Sequence, residues 1–204
     1  MIAIVNYGVG NLYSLRCSLE SLGVACRVTD KAGEIAGADQ VILPGVGAFG
    51  DAAAKLRERG LDSVVIAQAR AGKPLLGICL GMQLLYGSSS EYGEHKGLGL
   101  VPGRVTALRE DLDGQPLKVP HMGWNALEPV GDCPLLHTTK PGSYVYYVHS
   151  FYARVGPHTA GFSRYGPAEV TGVVQNGNVF GTQFHPEKSG AVGLRMLKAF
   201  SEIK

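Results

Sequence analysis

Four strand-length runs, IAIVN (2–6), VACRVT (24–29), QVILP (40–44) and PLLGIC (74–79), alternate with helical segments in the first half of the chain. NLYSLRCSLESL (11–22) sets Leu12, Leu15, Leu19 and Leu22 at helical spacing, with Asn11 as N-cap and Gly23 as a stop. A polar loop separates the second and third runs. DAAAKLRERG and LDSVVIAQARAG (51–72) read as helical, ended by Gly60 and Gly72. Strands that are apolar throughout cannot face water on one side, so this order requires a parallel sheet covered on both faces. The expected fold is α/β: an open, mostly parallel central sheet with helices on both faces.

The character changes after residue 98. GRVTALR, KVPHMGWNALEP, SYVYYVHSFYARV and the stretch from Glu169 to Phe184 are β-rich, aromatic and broken by Gly and Pro. They predict an additional antiparallel β segment in the second half, with a hairpin signal at Asn176–Gly177. GAVGLRMLKAFSEI closes the chain as a helix. With 204 residues and no internal repeat, one domain over 1–204 is expected.

The bulk composition excludes several classes. The formal net charge is +2, and the 19 Lys and Arg are scattered, so no nucleic-acid partner is expected. The apolar runs fall well short of the roughly 20 residues that cross a bilayer. Met1 leads into IAIVN without a basic n-region, so no signal peptide and no membrane association are expected. The 4 cysteines form no CxxC pair, which argues against a metal site or disulfide framework and for a reduced, cytoplasmic setting.

Three turns could carry chemistry. In NYGVGNLYSL, Gly8 and Gly10 begin a G-x-G-x-x-G pattern, but Tyr13 replaces the third glycine. Despite Asp30 downstream, a tight turn or contact loop is the better reading than a dinucleotide site. LPGVGAFGD (43–51) follows a strand and could turn backbone N–H groups into a cleft, or simply serve as a glycine-rich βα turn. G-I-C-L-G, centred on Cys79, has the form of a nucleophile elbow at a strand–turn–helix junction. There a strained turn admits only glycine flanks, and helix N–H groups favour a thiolate and can bind an oxyanion. The bland alternative is a buried core cysteine.

A cysteine nucleophile needs a base and an orienting acid. GTQFHPEKSG supplies His185 and Glu187 two residues apart, on one side of an extended chain stiffened by Pro186. His95, His137 and His158 lie in polar loops and are expected to be exposed. His121 and His149 lie in apolar surroundings, as core histidines or site residues. Cys17, Cys26 and Cys133 read as structural.

G-I-C-L-G-M-Q-L-L, P-G-V-G and F-H-P-E-K-S together resemble the class I (triad) glutamine amidotransferases, whose fold is flavodoxin-like. NYGVGNLYSL, LPGVGAFGD, VPHMGWN, YYVHSFY and QFHPEKSG are most similar to the glutaminase subunits of imidazole glycerol phosphate synthase. The resemblance implies a Cys79–His185–Glu187 triad that hydrolyses glutamine to glutamate and ammonia without a cofactor or metal. It implies an oxyanion hole from the N–H groups of Val46 and Leu80, with Gly45 permitting a peptide reorientation. Gln83 and Glu91 match positions at the glutamine α-amino end, and Ser150 and Phe151 the segment at its α-carboxylate. The implied partner is a separate (β/α)₈-barrel cyclase subunit, forming a heterodimer and using the ammonia to make imidazole glycerol phosphate and an aminoimidazole carboxamide ribotide in histidine biosynthesis. Asn11, Trp124, Tyr146 and Lys188 match its docking face. The alternatives are the glutaminase of an anthranilate or pyridoxal phosphate synthase, or a flavodoxin-like protein using Cys79 as a sensor thiol.

Overall fold

The computed structural model describes residues 1–204. The first half runs β1 (Ile2–Val5), α1 (Leu12–Ser21), β2 (Cys26–Thr29), α2 (Ala32–Ala36), β3 (Gln40–Gly45), α3 (Phe49–Glu58), α4 (Leu61–Arg70), β4 (Leu75–Cys79) and α5 (Leu80–Leu85). Then follow β5 (Tyr86–Ser89), β6 (His95–Lys96), β7 (Val101–Ala107), β8 (His121–Pro129), β9 (Ser143–His149), β10 (Phe151–Ala153), β11 (Thr159–Tyr165), β12 (Ala168–Asn176), β13 (Val179–Thr182) and α6 (Gly190–Glu202). No helix is long and apolar enough to cross a membrane.

The α/β architecture is the expected one, with a mixed main sheet. Its 9 strands run β2-β1-β3-β4-β13-β12-β11-β8-β9. The half from β2 to β13 is parallel and the half from β13 to β9 antiparallel. The antiparallel segment is therefore largely a continuation of the same sheet, and β13 is the pivot. A two-residue loop forces β13 antiparallel to β12, and its other edge pairs parallel with β4. In that loop Asn176 pairs with Val179, and Gly177 at φ +58 takes the first central position. A second sheet, β10-β7-β5-β6, takes the remaining strands.

Alternation along the strands sorts the core into two layers. Ile2, Ile4, Ile42, Leu76 and Ile78 pack with Leu15 and Leu19 of α1 and Met196, Leu197 and Phe200 of α6. Ala3, Val5, Val41, Leu43 and Leu75 pack on the opposite face with Phe49, Leu56 and Val65 of α3 and α4. β1, β3 and β4 are thus buried on both sides, which is why their sequences show no polar alternation, whereas the edge strand β2 exposes Arg27.

Four local expectations change. The polar stretch between β2 and β3 holds the short helix α2, anchored by buried Ile35. Asn11 stands at the N-cap of α1, but its side chain makes no capping bond; its carbonyl accepts Leu15 N–H at 3.2 Å instead. His95 and His158 are half-buried, whereas His137 is exposed. His95 packs over Gly50, where a Cβ would come within 2.7 Å of its ring.

Candidate active site

β3, β4 and β13 lie side by side, with Gly45 opposite Cys79 in register. Their C-terminal ends therefore deliver three segments to one crevice, the usual ligand position in such sheets. Cys79 ends β4 with φ 55 and ψ −112, a strained backbone for a residue with a Cβ. Leu80 opens α5 directly after it. The flanking glycines are required by close approach. A Cβ on Gly77 would meet Gly81 O at 2.7 Å, and one on Gly81 would meet Leu43 O at 1.8 Å.

His185 Nδ1 lies 2.9 Å from Glu187 Oε1, with the two side chains only 3% and 2% exposed. The pairing does not use extended chain as expected. His185 is extended (φ −94, ψ 101), but Pro186–Lys188 turns as 3₁₀-helix and swings the carboxylate back onto the ring. The turn is stitched to β9: His185 N–H donates to Tyr146 O at 3.0 Å, and Ser189 Oγ donates to His185 O and accepts Tyr146 N–H. Burial opposes charge on His185, but hydrogen bonding to Cys79 and Glu187 outweighs it and pushes the pKa up to about 10. A histidine with that proton affinity holds its proton at neutral pH, opposite the Cys79 sulfur.

A cleft of about 300 Å³ opens above Cys79 and His185 and is lined by Val46, Leu80, Gln83, Glu91, Ser150 and Phe151, all singled out by sequence. Gly45 lies outside this lining. A Cβ there would press within 2.7 Å of Gly81 N and 2.8 Å of the Tyr7 hydroxyl, so close packing demands glycine. Tyr7 Oη donates to Pro44 O at 2.7 Å, and Gly10 sits against the Pro44 ring; the glycine turn after β1 is thus a contact loop that holds the end of β3.

Gln83 Nε2 donates to Phe151 O at 2.8 Å and to Gln183 Oε1 at 3.0 Å. Both amide hydrogens are engaged, so the Gln83 carbonyl remains an acceptor for a ligand cation. Glu91 Oε2 accepts the Phe49 N–H at 2.7 Å. Burial raises the Glu91 pKa, while that N–H pulls it down. Sequence reasoning missed Gln183, fully buried with Nε2 3.8 Å from Cys79 Sγ, and left His149, which lines the cleft, undecided. The signal for Gln183 was its place two residues before His185, at the exit of β13.

Beside the triad turn lies an exposed aromatic patch. Trp124 and Tyr146 are cross-strand partners with ring centroids 6.0 Å apart, and Lys188 Nζ sits 5.9 Å over the Tyr146 ring. Asn11 is half-buried at the start of α1. Cys133 is buried, which pushes its thiol up to about 11. Cys17 and Cys26 are half-buried. No group of three or more His, Cys, Asp or Glu is placed to hold a metal ion.

Two solved structures share this fold over 98% of the chain. A glutamine amidotransferase crystal structure superimposes with TM-score 0.73 at 21% identity, over 97% of its own length. PurLQS from Thermotoga maritima gives 0.74 at 22%, over 96% of that chain. Among curated proteins, "Imidazole glycerol phosphate synthase subunit HisH" of Lactiplantibacillus plantarum is 52% identical over all of this chain and 96% of its own. The protein of the same name from Bacillus cytotoxicus is 48% identical, over 100% and 95% of the two chains. The family model for glutamine amidotransferase class-I matches residues 3–202. An elbow cysteine facing a buried His–Glu pair, on this sheet and with these relatives, makes the chain a member of the class I glutamine amidotransferase family.

Proposed function

We propose that this chain is the glutaminase subunit of an imidazole glycerol phosphate synthase, a single amidotransferase domain that hydrolyses glutamine and passes the ammonia to a synthase partner. The observation that carries the chemistry is Cys79, held at left-handed φ beneath a cleft and facing the buried His185–Glu187 pair. His185 already holds the proton given up by the thiol, and Sγ attacks the side-chain amide carbon of glutamine. Glu187 fixes the histidine's Nδ1–H, leaving Nε2 for the transfer. The tetrahedral oxyanion is met by the N–H groups of Leu80 and Val46. As the C–N bond breaks, His185 returns its proton to the departing nitrogen and ammonia leaves. Water, deprotonated by His185, then cleaves the thioester to glutamate and restores the thiol.

At the other end of the substrate, the free carbonyl of Gln83 and the Glu91 carboxylate face the α-ammonium. The Ser150–Phe151 segment meets the α-carboxylate. The partner is a cyclase that joins at the Trp124–Tyr146–Lys188 patch and the Asn11 turn. This is supported by the bond between Tyr146 O and His185 N–H, which puts the patch one residue from the triad. The names of the full-length relatives favour this synthase over an anthranilate or pyridoxal phosphate enzyme, and the four free cysteines support a cytoplasmic setting.

The test uses the chain with its cyclase partner and nucleotide substrate. Cys79→Ala should abolish glutamine-dependent synthesis while ammonium salts still support it. Glutamine use by that variant would overturn the nucleophile assignment.

A further inference from the structure

Two buried histidines, His149 in the cleft lining and His121 beyond it, take no part in the triad chemistry. His121 and His149 are paired across β8 and β9 and are 2% and 5% exposed. His121 Nδ1 lies 2.9 Å from His149 Nε2. The outer partners settle where the hydrogens are. His149 Nδ1 is 3.1 Å from Phe151 O, which can only accept, so Nδ1 carries the hydrogen and Nε2 accepts. His121 Nδ1 must then donate, and its Nε2 accepts from Asn125 Nδ2 at 3.2 Å. The Asn125 amide is oriented by the same logic, because Nδ2 also donates to Arg164 O at 2.9 Å and Oδ1 accepts Ala126 N–H at 2.8 Å. The hydrogens all run one way, from Asn125 toward Phe151.

Nothing in this arrangement leaves room for a second hydrogen on either ring. Burial pushes the His121 pKa down to about 4, and burial together with His121 pushes His149 to about 3. His121 is also clamped between Tyr147 and Tyr165, with ring centroids at 4.7 and 4.2 Å. The relay ends on the Phe151 carbonyl, the same atom that takes Gln83 Nε2 at 2.8 Å. From Gln83 the network continues through Gln183 to Cys79 Sγ.

We propose that His121 and His149 are positioning residues for glutamine. Their one-way relay fixes the Phe151 carbonyl, and with it the Gln83 amide and the Ser150–Phe151 segment at the substrate's amino-acid end. The inference rests on the glutaminase reading. Without the His121 donor, His149 Nε2 becomes a buried acceptor with no partner and the ring loses one of the two bonds that hold its orientation. The ring is then free to turn, and the Phe151 carbonyl and Gln83 amide turn with it, loosening substrate binding while the triad keeps its own bonds.

The test compares two variants in steady-state glutamine hydrolysis by the chain with its synthase partner. His121→Phe keeps a ring between the two tyrosines and removes the donor. His121→Asn places an amide donor where Nδ1 sits. The glutamine KM should rise about tenfold in His121→Phe, the loss of roughly one net hydrogen bond, with kcat within about twofold. His121→Asn should recover most of that rise. An unmoved KM in His121→Phe, or the same rise in both variants, overturns the proposal. Nitrogen-15 imidazole correlation spectra of the wild-type chain give a second readout that survives any folding failure of the variants. Both rings should show the Nδ1–H tautomer at neutral pH, and an Nε2–H or imidazolium form of either one overturns the relay. Absence of glutamine turnover in the wild-type complex overturns the glutaminase reading and this inference with it. Wild-type turnover with an unmoved KM overturns this inference alone.

Discussion

The main-chain N–H of Phe49 ends 2.7 Å from the Glu91 carboxylate, so one side chain both lines the cleft and holds the first turn of α3. Ala48, at the N-cap of that helix, has no side-chain oxygen to offer, and Glu91 supplies one from a distant loop. The two roles separate by substitution. Glu91→Gln keeps an acceptor for Phe49 but loses the charge proposed to face the substrate, so it should raise the glutamine KM with little change in urea midpoint. Glu91→Ala should raise KM and also cost about 1 kcal/mol of stability, the usual worth of a cap.

The glycines around Cys79 are expected to be intolerant for a steric reason. Gly81→Ala would drive a methyl to 1.8 Å from Leu43 O, which is backbone inside the parallel sheet and cannot yield. We expect a loss of about 3 kcal/mol or more, or no soluble protein. Gly23→Ala, which meets nothing within 4 Å and only the strain of φ +69, should cost about 1 kcal/mol. Thermal melts of the two variants side by side would expose an error if Gly81→Ala were the milder.

The His185–Glu187 pair should give the fold a pH signature. The His185 pKa is raised from 6.5 to about 10 in the folded chain. Its contribution to stability is therefore complete below pH 6.5 and lost as pH rises toward 10. Glu187→Gln removes one source of the shift. The Tm gap between wild type and Glu187→Gln should be widest at or below pH 6.5 and narrow steadily toward pH 10. A gap that widens with pH would contradict the charged pair. Glutamine turnover in Glu187→Gln should fall at least about 100-fold, because the ring loses its fixed tautomer.

Trp124 is 54% exposed, so Trp124→Ala should leave the Tm of the isolated chain nearly unchanged. Its proposed role at the docking face predicts at least about tenfold weaker binding to the synthase partner, as for a buried aromatic anchor. Calorimetric titration with the partner measures it; equal affinity would remove Trp124 from the interface.

Cys79, His185 and Glu187 were legible in the sequence because each is marked by close neighbours. Glycines at Gly77 and Gly81 announce a turn that no other residue tolerates, and a histidine two residues from a glutamate announces a pair. The apolar strands likewise carry their own evidence of two-sided burial, so the parallel half of the sheet and the helices of its layers could be anticipated. The fold of the turn that joins His185 to Glu187 could not, since extended chain and a 3₁₀ turn both fit H-P-E.

What only the tertiary structure decided is a matter of through-space pairing. β13 runs parallel to one neighbour and antiparallel to the other because of where β4 lies, and nothing within VFGT records that. Gln83 meets Gln183 across 100 positions, Glu91 meets Phe49 across 42, and His121 meets His149 across 28. Local chemistry fixes which residues can react. The direction of a hydrogen bond, and so the orientation of the groups that hold a substrate, depends on partners that only the packed chain brings within 3 Å.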